Sequence, residues 1–151
     1  MSWLRRGLSA PGAAAPEPDD VAVLRTDLVS LRRYINRNAG QVPVGSVVTA
    51  HCVCDALGEI LQLADNRTLD MHTVVSIGGF LNDYLPTTLR SFLAVADAPG
   101  STAAEQLTEQ LDALLDAASD LLAAARTHDA DALAVHGTFL NTKFSRSDLD
   151  L

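Results

Sequence analysis

Residues 102–125 read TAAEQLTEQLDALLDAASDLLAAA, and this stretch decides the fold class. Thr102 and Glu105 stand at the spacing of a capping box, in which a hydroxyl and a carboxylate satisfy the first N–H groups of a helix. The period of the apolar residues predicts one long amphipathic helix, with its acidic face in solvent. Its apolar seam, which either the chain itself or a second copy can bury, consists of Leu107, Leu111, Leu114, Ala118, Leu121 and Ala125.

The composition of the whole chain agrees with a helical protein. The chain has 151 residues, and 48% of them are hydrophobic while only 5% are aromatic. Alanine and leucine supply most of that apolar content, which favours helices over sheets built from β-branched and aromatic residues. A chain of this length buries a sufficient core without a metal or disulfides. We therefore predict a single domain of the all-α class.

Helical periods recur outside the opening stretch as well. Together with the long helix they predict an antiparallel bundle of five or six helices. We expect Thr68 to be the N-cap of the third helix, with Asp70 in its first turn. The further helices are predicted over residues 20–38, 44–64, 68–84 and 86–96, with a short last helix that begins at Asp129 or Asp131 and runs through residue 140.

Pro86 interrupts an otherwise continuous helical run. Proline removes a backbone donor inside a helix, whereas at the first position of a new helix the missing N–H group costs nothing. We therefore predict a proline-induced bend or a helix restart near Pro86. Two glycines precede it, Gly78 and Gly79, and we expect them to permit close packing of a neighbouring helix.

Composition shifts divide the chain into three parts. Residues 1–18 contain SAPGAAAPEP and are predicted to be a flexible leader, residues 19–144 the helical bundle domain, and residues 145–151 a polar C-terminal tail. We expect no signal peptide and no window that approaches the ~20 apolar residues of a membrane span. At most, the leader is expected to touch a membrane from Trp3 to Leu8.

The net charge limits the classes of partner. A formal charge of -8 and a pI near 4.7 argue against nucleic-acid binding, which needs a footprint of Lys and Arg. The two cysteines form neither a disulfide framework nor a zinc quartet, and they suit a reducing cytoplasm. We predict a cytoplasmic protein whose partner is another protein, with a homo-oligomer as one form of that partnership.

One cluster in the sequence contains residue types that can bind a metal or form a reactive thiol. It consists of His51, Cys52 and Cys54. Residues two apart on a helix project about 200° from each other, so the two thiols cannot chelate one ion. An imidazole at His51, one turn from Cys54 or Asp55, would activate a thiol. Ordinary burial of a cysteine in a helical core is the favoured interpretation. A reactive thiol that senses redox state or a metal is the alternative.

Motifs for standard catalysis are missing from the sequence. It contains no glycine-rich phosphate loop, no Gly-x-Ser-x-Gly elbow and no helix-borne carboxylate ladder. His72, His128 and His136 are not spaced as metal ligands on a helix. We therefore assign no catalytic, cofactor-binding or metal-binding residues, and the missing motifs favour a protein that is not an enzyme without deciding the question.

The segment FLNDYLPTTLRSFLAV, from Phe80 to Val95, resembles the Tyr-Leu-Pro-Thr-Thr-Leu segment of a known family. That family is the 5-bromo-4-chloroindolyl phosphate hydrolysis (XpaC-like) family, helical bacterial proteins linked to toxic-anion (tellurite) resistance. The loop and the long acidic helix that follow are similar to it too. The resemblance implies a helical interaction or scaffold protein in a bacterial stress or toxic-anion-resistance context. The family name implies an alternative function, hydrolysis of phosphate esters, without catalytic residues to carry over.

Five residues around the proline form the candidate site of the sequence: Tyr84, Pro86, Thr87, Thr88 and Arg90. One interpretation is structural, because threonine hydroxyls can satisfy backbone groups freed by the proline while Tyr84 anchors the bend. The other is an anion site, in which the N–H groups near the two threonines and the Arg90 guanidinium bind a ligand at a new helix N-terminus. Both interpretations stay open at the level of sequence.

Overall fold

A computed structural model describes the backbone of residues 18–149 and the side chains of residues 19–128. This part of the chain is helical and contains no β-strand, which confirms the predicted all-α class. The segment from Trp3 to Leu8 lies outside the described residues, as does the predicted leader up to its last residue. The predicted domain boundaries stay predictions; the first described helix begins at Pro18 and the last ends at Leu149.

The helices follow one another with short connections. Helix α1 is followed by a 3-10 turn at Ala39–Gln41, and a π turn at Phe80–Tyr84 joins α3 directly to α4. Residues 71–95 therefore form one uninterrupted helical rod. The α-helical segments are α1 at Pro18–Asn38, α2 at Val44–Leu63, α3 at Met71–Gly79, α4 at Leu85–Val95 and α5 at Ala103–Leu149.

The described part thus contains four helical rods, and the predicted number of five or six is not confirmed. The predicted new helix at Asp129 or Asp131 is wrong, because α5 continues through both residues. Neither proline nor glycine stands at that point, and aspartate in a helix interior costs at most about 0.7 kcal/mol relative to alanine. An acidic pair alone is therefore too weak a signal to end a helix.

Helix α2 lies at the centre of the fold and packs against both α1 and α5. Its residues Val53, Leu57 and Ile60 have no exposed surface. Helix α4 packs on α5, while α1 also contacts α3 and the π turn. The predicted seam of α5 is buried inside the chain: Leu107, Leu111, Ala118 and Ala125 are buried, and Leu114 and Leu121 are partly buried. Most of the seam is therefore covered by the chain itself, while Leu114 and Leu121 keep some exposed surface.

By length and composition, α2 is also the one helix in the described residues that could cross a membrane. This corrects the expectation that no window would be apolar enough. In the structure the helix contributes Ala50, Cys54 and Leu61 to the core. A helix that is covered on more than one side is apolar around most of its circumference, and this property gives it the composition of a span.

Caps show where local signals were correct and where they were not. Helix α3 begins at Met71 with Asp70 as its N-cap, whose carboxylate accepts the Thr73 N–H at 2.7 Å. The predicted N-cap, Thr68, is therefore wrong by two residues. At the start of α5, Ser101 Oγ accepts the Ala103 N–H at 3.0 Å.

Ion pairs on the surface tie α2 and its C-terminal loop to the helices on either side. Arg25 of α1 donates to Asp65 at 2.7 Å and to the Leu61 carbonyl at 3.0 Å. On the other side, Arg126 of α5 pairs with Glu59. Exposed pairs are worth at most about 1 kcal/mol each. They set the register of helices that the core holds together.

Candidate functional site

The helix does not restart at Pro86, contrary to the prediction. In the π turn, the Leu85 N–H donates to the Phe80 carbonyl, five residues back rather than four. A π turn shifts the hydrogen-bond register of a helix, so it can absorb a proline whose ring would otherwise crowd the carbonyl one turn earlier. The rod therefore remains helical from Met71 to Val95. A bend is not confirmed.

The π turn places two aromatic rings in opposite environments. Phe80 is 6% exposed and lies in the core, whereas Tyr84 is 52% exposed. Their ring centroids are 6.0 Å apart, at an interplanar angle of 89°. A Cβ atom built on Gly79 would lie 3.1 Å from Cε2 of Tyr84, so the ring lies directly over this glycine. Gly79 and Phe80 together hold a large aromatic side chain at the surface.

The structure divides the five predicted site residues between two sides of the rod. Pro86 and Arg90 line a depression shared with α1, next to Asp27 and Tyr34. The other three, Tyr84, Thr87 and Thr88, line a depression shared with α5. The five residues therefore do not converge on one ligand.

The predicted anion site loses its geometric basis for a second reason. Because the helix continues before Pro86, the amides of Thr87 and Thr88 have carbonyls one turn earlier to which they can donate. The Thr87 hydroxyl donates to Asp83 Oδ1 at 3.3 Å, so a carboxylate stands where an anion would have to bind. Arg90 lies on the other side and cannot neutralise it there.

The thiol cluster is also separated. His51 Nε2 lies 2.9 Å from Asn36 Oδ1 of α1, while Asp55 accepts from Arg32 at 2.8 Å. Cys54 is completely buried, and burial raises the pKa of its thiol to about 11, against the smaller opposing effect of Arg32. A protonated thiol is a poor nucleophile and a poor metal ligand. Cys52 is half-buried, with no imidazole in hydrogen-bond contact.

Residues 19–128 contain no candidate metal site. No group of three or more His, Cys, Asp or Glu side chains lies close enough there to hold an ion. Asp70 has a lowered pKa, but the first cause is the hydrogen bond from the Thr73 backbone N–H, and the residue is a helix cap.

A concave surface between α4 and α5 forms a groove, which consists of two adjoining depressions of about 310 and 180 Å³. Thr88 and Gln110 border both depressions, so the two are continuous. Asp83 is the one charged side chain among the described residues that line them. We call this surface the α4/α5 groove; it is lined by Asp83, Tyr84, Thr87, Thr88, Ser91, Phe92, Val95, Ala103, Gln106, Leu107, Gln110, Ala113 and Leu114.

The site residues predicted from the sequence include part of the α4 wall of this groove and none of its α5 wall. Gln106, Gln110 and Ala113 carry no motif, and they become a site only because α4 packs beside them. The available signal was their spacing of four and three, which places them on one stripe of α5 next to the buried seam.

An acidic ridge runs along α5 beside the groove. Its five carboxylates are exposed, and none of them makes a hydrogen bond or an ion pair with a described residue. Like charges at i, i+4 destabilise a helix by about 0.2–0.5 kcal/mol per pair, so the ridge lowers the intrinsic stability of α5. The ridge consists of Glu105, Glu109, Asp112, Asp116 and Asp120.

The groove, the aromatic ring of Tyr84 at one end and the acidic ridge beside it are the features on which a function can be built. The described residues of these features include no cysteine, histidine or lysine. No family model, curated protein or solved structure matches the chain.

Proposed function

We propose that the protein is a non-enzymatic helical interaction or scaffold protein that binds a helical segment of a protein partner in the α4/α5 groove. The single observation that carries this proposal is the half-exposed ring of Tyr84 at the end of a mostly apolar groove. Grooves between helices accept the apolar face of an amphipathic helix. Tyrosine in such a position is among the residues that dominate binding energy.

The local construction of the site supports the same proposal. Tyr84 rests on Gly79 and on the edge of Phe80, so the ring is held in place before a partner arrives. A preorganised side chain loses less conformational entropy on binding.

We also propose that the π turn and Pro86 bend the rod and that the rods run antiparallel, which would set the angle at which α4 crosses α5.

The biological context of the proposal comes from the sequence. The likeness of residues 80–95 to the XpaC-like family supports a bacterial stress or toxic-anion-resistance context. The negative charge and the two free cysteines support a cytoplasmic location without nucleic-acid partners. Phosphate-ester hydrolysis rests on the name of the family alone, and a thiol sensor would have to use the half-buried Cys52.

Two matched variants test the groove. Tyr84→Ala removes the aromatic ring at the groove, and Val44→Ala removes an apolar side chain that is 79% exposed at the start of α2. Chemical cross-linking in cells, read by mass spectrometry, should show partner segments that the wild-type protein and Val44→Ala share and that Tyr84→Ala loses. If Tyr84→Ala and Val44→Ala show equal cross-linking, the partner does not bind in the α4/α5 groove.

A chromogenic phosphate ester separates binding from hydrolysis. We expect the purified protein to show no turnover, with or without divalent metal ions. Turnover that disappears in a Thr87→Ala, Thr88→Ala double variant would contradict the non-enzymatic proposal and favour the hydrolase.

A further inference from the structure

We infer that the partner segment is the C-terminal half of α5 from a second copy of the chain, bound antiparallel in the α4/α5 groove, so that two copies occupy each other's grooves. This inference rests on the proposed function, because it names the occupant of the proposed binding surface. Such an arrangement is a closed two-fold dimer, in which the same surface is used twice.

The length of α5 supplies the first step. It has 47 residues and is therefore about 70 Å long, whereas the 21 residues of α1 reach about 30 Å. Near the middle of α5, Arg126 pairs with Glu59 and the Ala125 carbonyl accepts from Arg67 at 2.9 Å. The last described residue of α5 that interacts with the rest of the fold is His128, whose charge acts on Asp70. The helix then continues to Leu149, about 30 Å further.

The continuity of α5 excludes its own groove as the binding place. The groove lies beside the N-terminal part of α5, up to Leu114. To reach it, residues beyond Arg126 would have to reverse direction, which an unbroken helix to Leu149 does not permit. A second copy has no such restriction.

Matching helical spacings supply the second step. On the groove side, Ala103, Gln106, Gln110 and Ala113 recur at intervals of three, four and three. In the sequence of the C-terminal half, Val135, Phe139, Thr142, Arg146 and Leu149 recur at intervals of four, three, four and three. The second row has the average spacing of 3.5 residues with which two helices meet along a seam, and the first row, at about 3.3, is close to it.

The midpoint of α5 lies near Arg126, and antiparallel pairing about this point sets the register. It places Phe139 of one copy level with Ala113 of the other. The large ring then meets a small side chain at the wider depression, next to Tyr84 and Leu114. Alternation of large and small residues is the way in which facing helices interdigitate.

Charge selects the antiparallel direction. Between Ala103 and Ala125, α5 carries five acidic residues and no basic residue. The C-terminal half is less acidic, because its three aspartates, Asp129, Asp131 and Asp148, are accompanied by Lys143, Arg146 and His136. In the register above, Lys143 is level with Glu109 and His136 with Asp116. Parallel pairing would instead bring one acidic ridge against the other, which costs free energy.

The full-length protein, analysed by light scattering during size-exclusion chromatography, tests the inference. We expect the wild type to have twice the chain mass of 16.0 kDa. Glu109→Lys and Lys143→Glu should each weaken dimerisation at least tenfold, and the double variant should restore most of it. Phe139→Ala should weaken it by a similar factor.

Matched controls keep general charge and folding effects apart. Arg33→Glu makes the same charge change as Lys143→Glu at an exposed residue of α1, and it should leave the dimer intact. Circular dichroism should show the same helix content in all variants. Because exposed ion pairs are screened, the wild-type dimer should also weaken between 0.05 and 0.5 M salt, values chosen to shorten the Debye length from roughly 14 to 4 Å.

The outcomes separate the two proposals. A monomeric wild type at high micromolar concentration overturns the dimer, while cross-links that depend on Tyr84 and lead to another protein would keep the proposed function. A dimer that Glu109→Lys, Lys143→Glu and Phe139→Ala all leave unchanged also overturns the inference. If Tyr84→Ala and Ala113→Arg leave the dimer unchanged, the α4/α5 groove is not its interface.

Discussion

Two neighbouring thiols on α2 have different exposures at the residue scale. Cys54 is buried among core residues, and burial raises the pKa of its thiol to about 11, whereas Cys52 is partly exposed. Helical geometry accounts for this difference, since positions two apart face nearly opposite directions. The core therefore determines which of the two is available for chemistry.

Alkylation should follow this difference. In native protein at a pH near 8, iodoacetamide should label Cys52 and leave Cys54 unmodified, because the thiolate is the reacting form. Peptide mass spectrometry before and after unfolding measures the labelling of each residue. Native labelling of Cys54 at the rate of Cys52 would contradict the burial and return the thiol sensor to consideration.

The same thiol predicts an alkaline loss of stability. The pKa of Cys54 is raised from 9.0 to about 11, so the folded state holds the proton more tightly than the unfolded chain. The stability that results is fully present below pH 9.0 and is lost as the pH rises towards about 11. Urea unfolding across this range should show a steeper fall for the wild type than for Cys54→Ala, while Cys52→Ala should behave as the wild type.

Asp70 predicts the opposite dependence on pH. The Thr73 N–H is the first cause that lowers the pKa of this carboxyl from 3.8, so its contribution to stability is present above that value and is lost as the pH falls. Asp70→Ala should cost about 1 kcal/mol at neutral pH. Asn is also a good N-cap, so Asp70→Asn should change the free energy of unfolding little at pH 7. It should reduce the loss of stability on acidification, as measured by urea unfolding at pH 7 and at a pH below 3.8.

At the scale of elements, the π turn explains how a proline can stand inside a continuous rod. The five-residue turn at Phe80–Tyr84 moves the hydrogen-bond register before Pro86, and it also exposes Tyr84. A helix restart and a π turn are two ways for a chain to accommodate the missing N–H group of Pro86. They cannot be told apart from the proline alone, because the choice depends on how the residues before it pack in the core, among them the buried Leu81 and Leu85.

Pro86→Ala tests this explanation. In a regular helix interior the substitution would remove a penalty of about 3 kcal/mol. Because the π turn already accommodates the ring, we expect the free energy of unfolding to change by less than about 1 kcal/mol, in part through the greater entropy of the unfolded chain. A gain near 3 kcal/mol would show that the rod is strained at this proline.

Gly78 and Gly79 form a natural matched pair. A Cβ atom at Gly78 would lie 3.7 Å from Leu24 Cδ2, an ordinary contact, so Gly78→Ala should stabilise the protein by about 0.5–1 kcal/mol. At Gly79 the same atom would lie 3.1 Å from the Tyr84 ring and would displace it. Gly79→Ala should therefore weaken binding in the groove, measured as dimer dissociation, while Gly78→Ala should not.

At the scale of the whole molecule, the core around α2 supplies stability and the surface ion pairs supply register. Leu57→Ala removes a side chain with no exposed surface, and it should lower the free energy of unfolding by about 2–5 kcal/mol. Glu59→Gln breaks the exposed pair with Arg126 and should cost less than about 1 kcal/mol. Thermal and urea unfolding of both variants measures the contrast, and equal losses would contradict it.

Much of the helical architecture could be predicted because its signals are local. The bounds of α1 and α2 lie within two residues of those expected, since their hydrophobic periods and flanking turn residues are contiguous in the chain. The errors occurred where local signals compete. Pro86 carries a strong helix-breaking signal and the Asp129 to Asp131 segment a weak one, and the helix continues through both.

The sequence by itself determined that this chain is helical and that the leucine seam of α5 is buried, because both follow from a repeat within one segment. Only the tertiary structure decided that the seam is covered by the chain itself and that Tyr84 faces Leu114 across a groove. These two residues are far apart in sequence, so their proximity depends on how α4 packs on α5. For the same physical reason, the five predicted site residues around Pro86 line two separate depressions rather than one site.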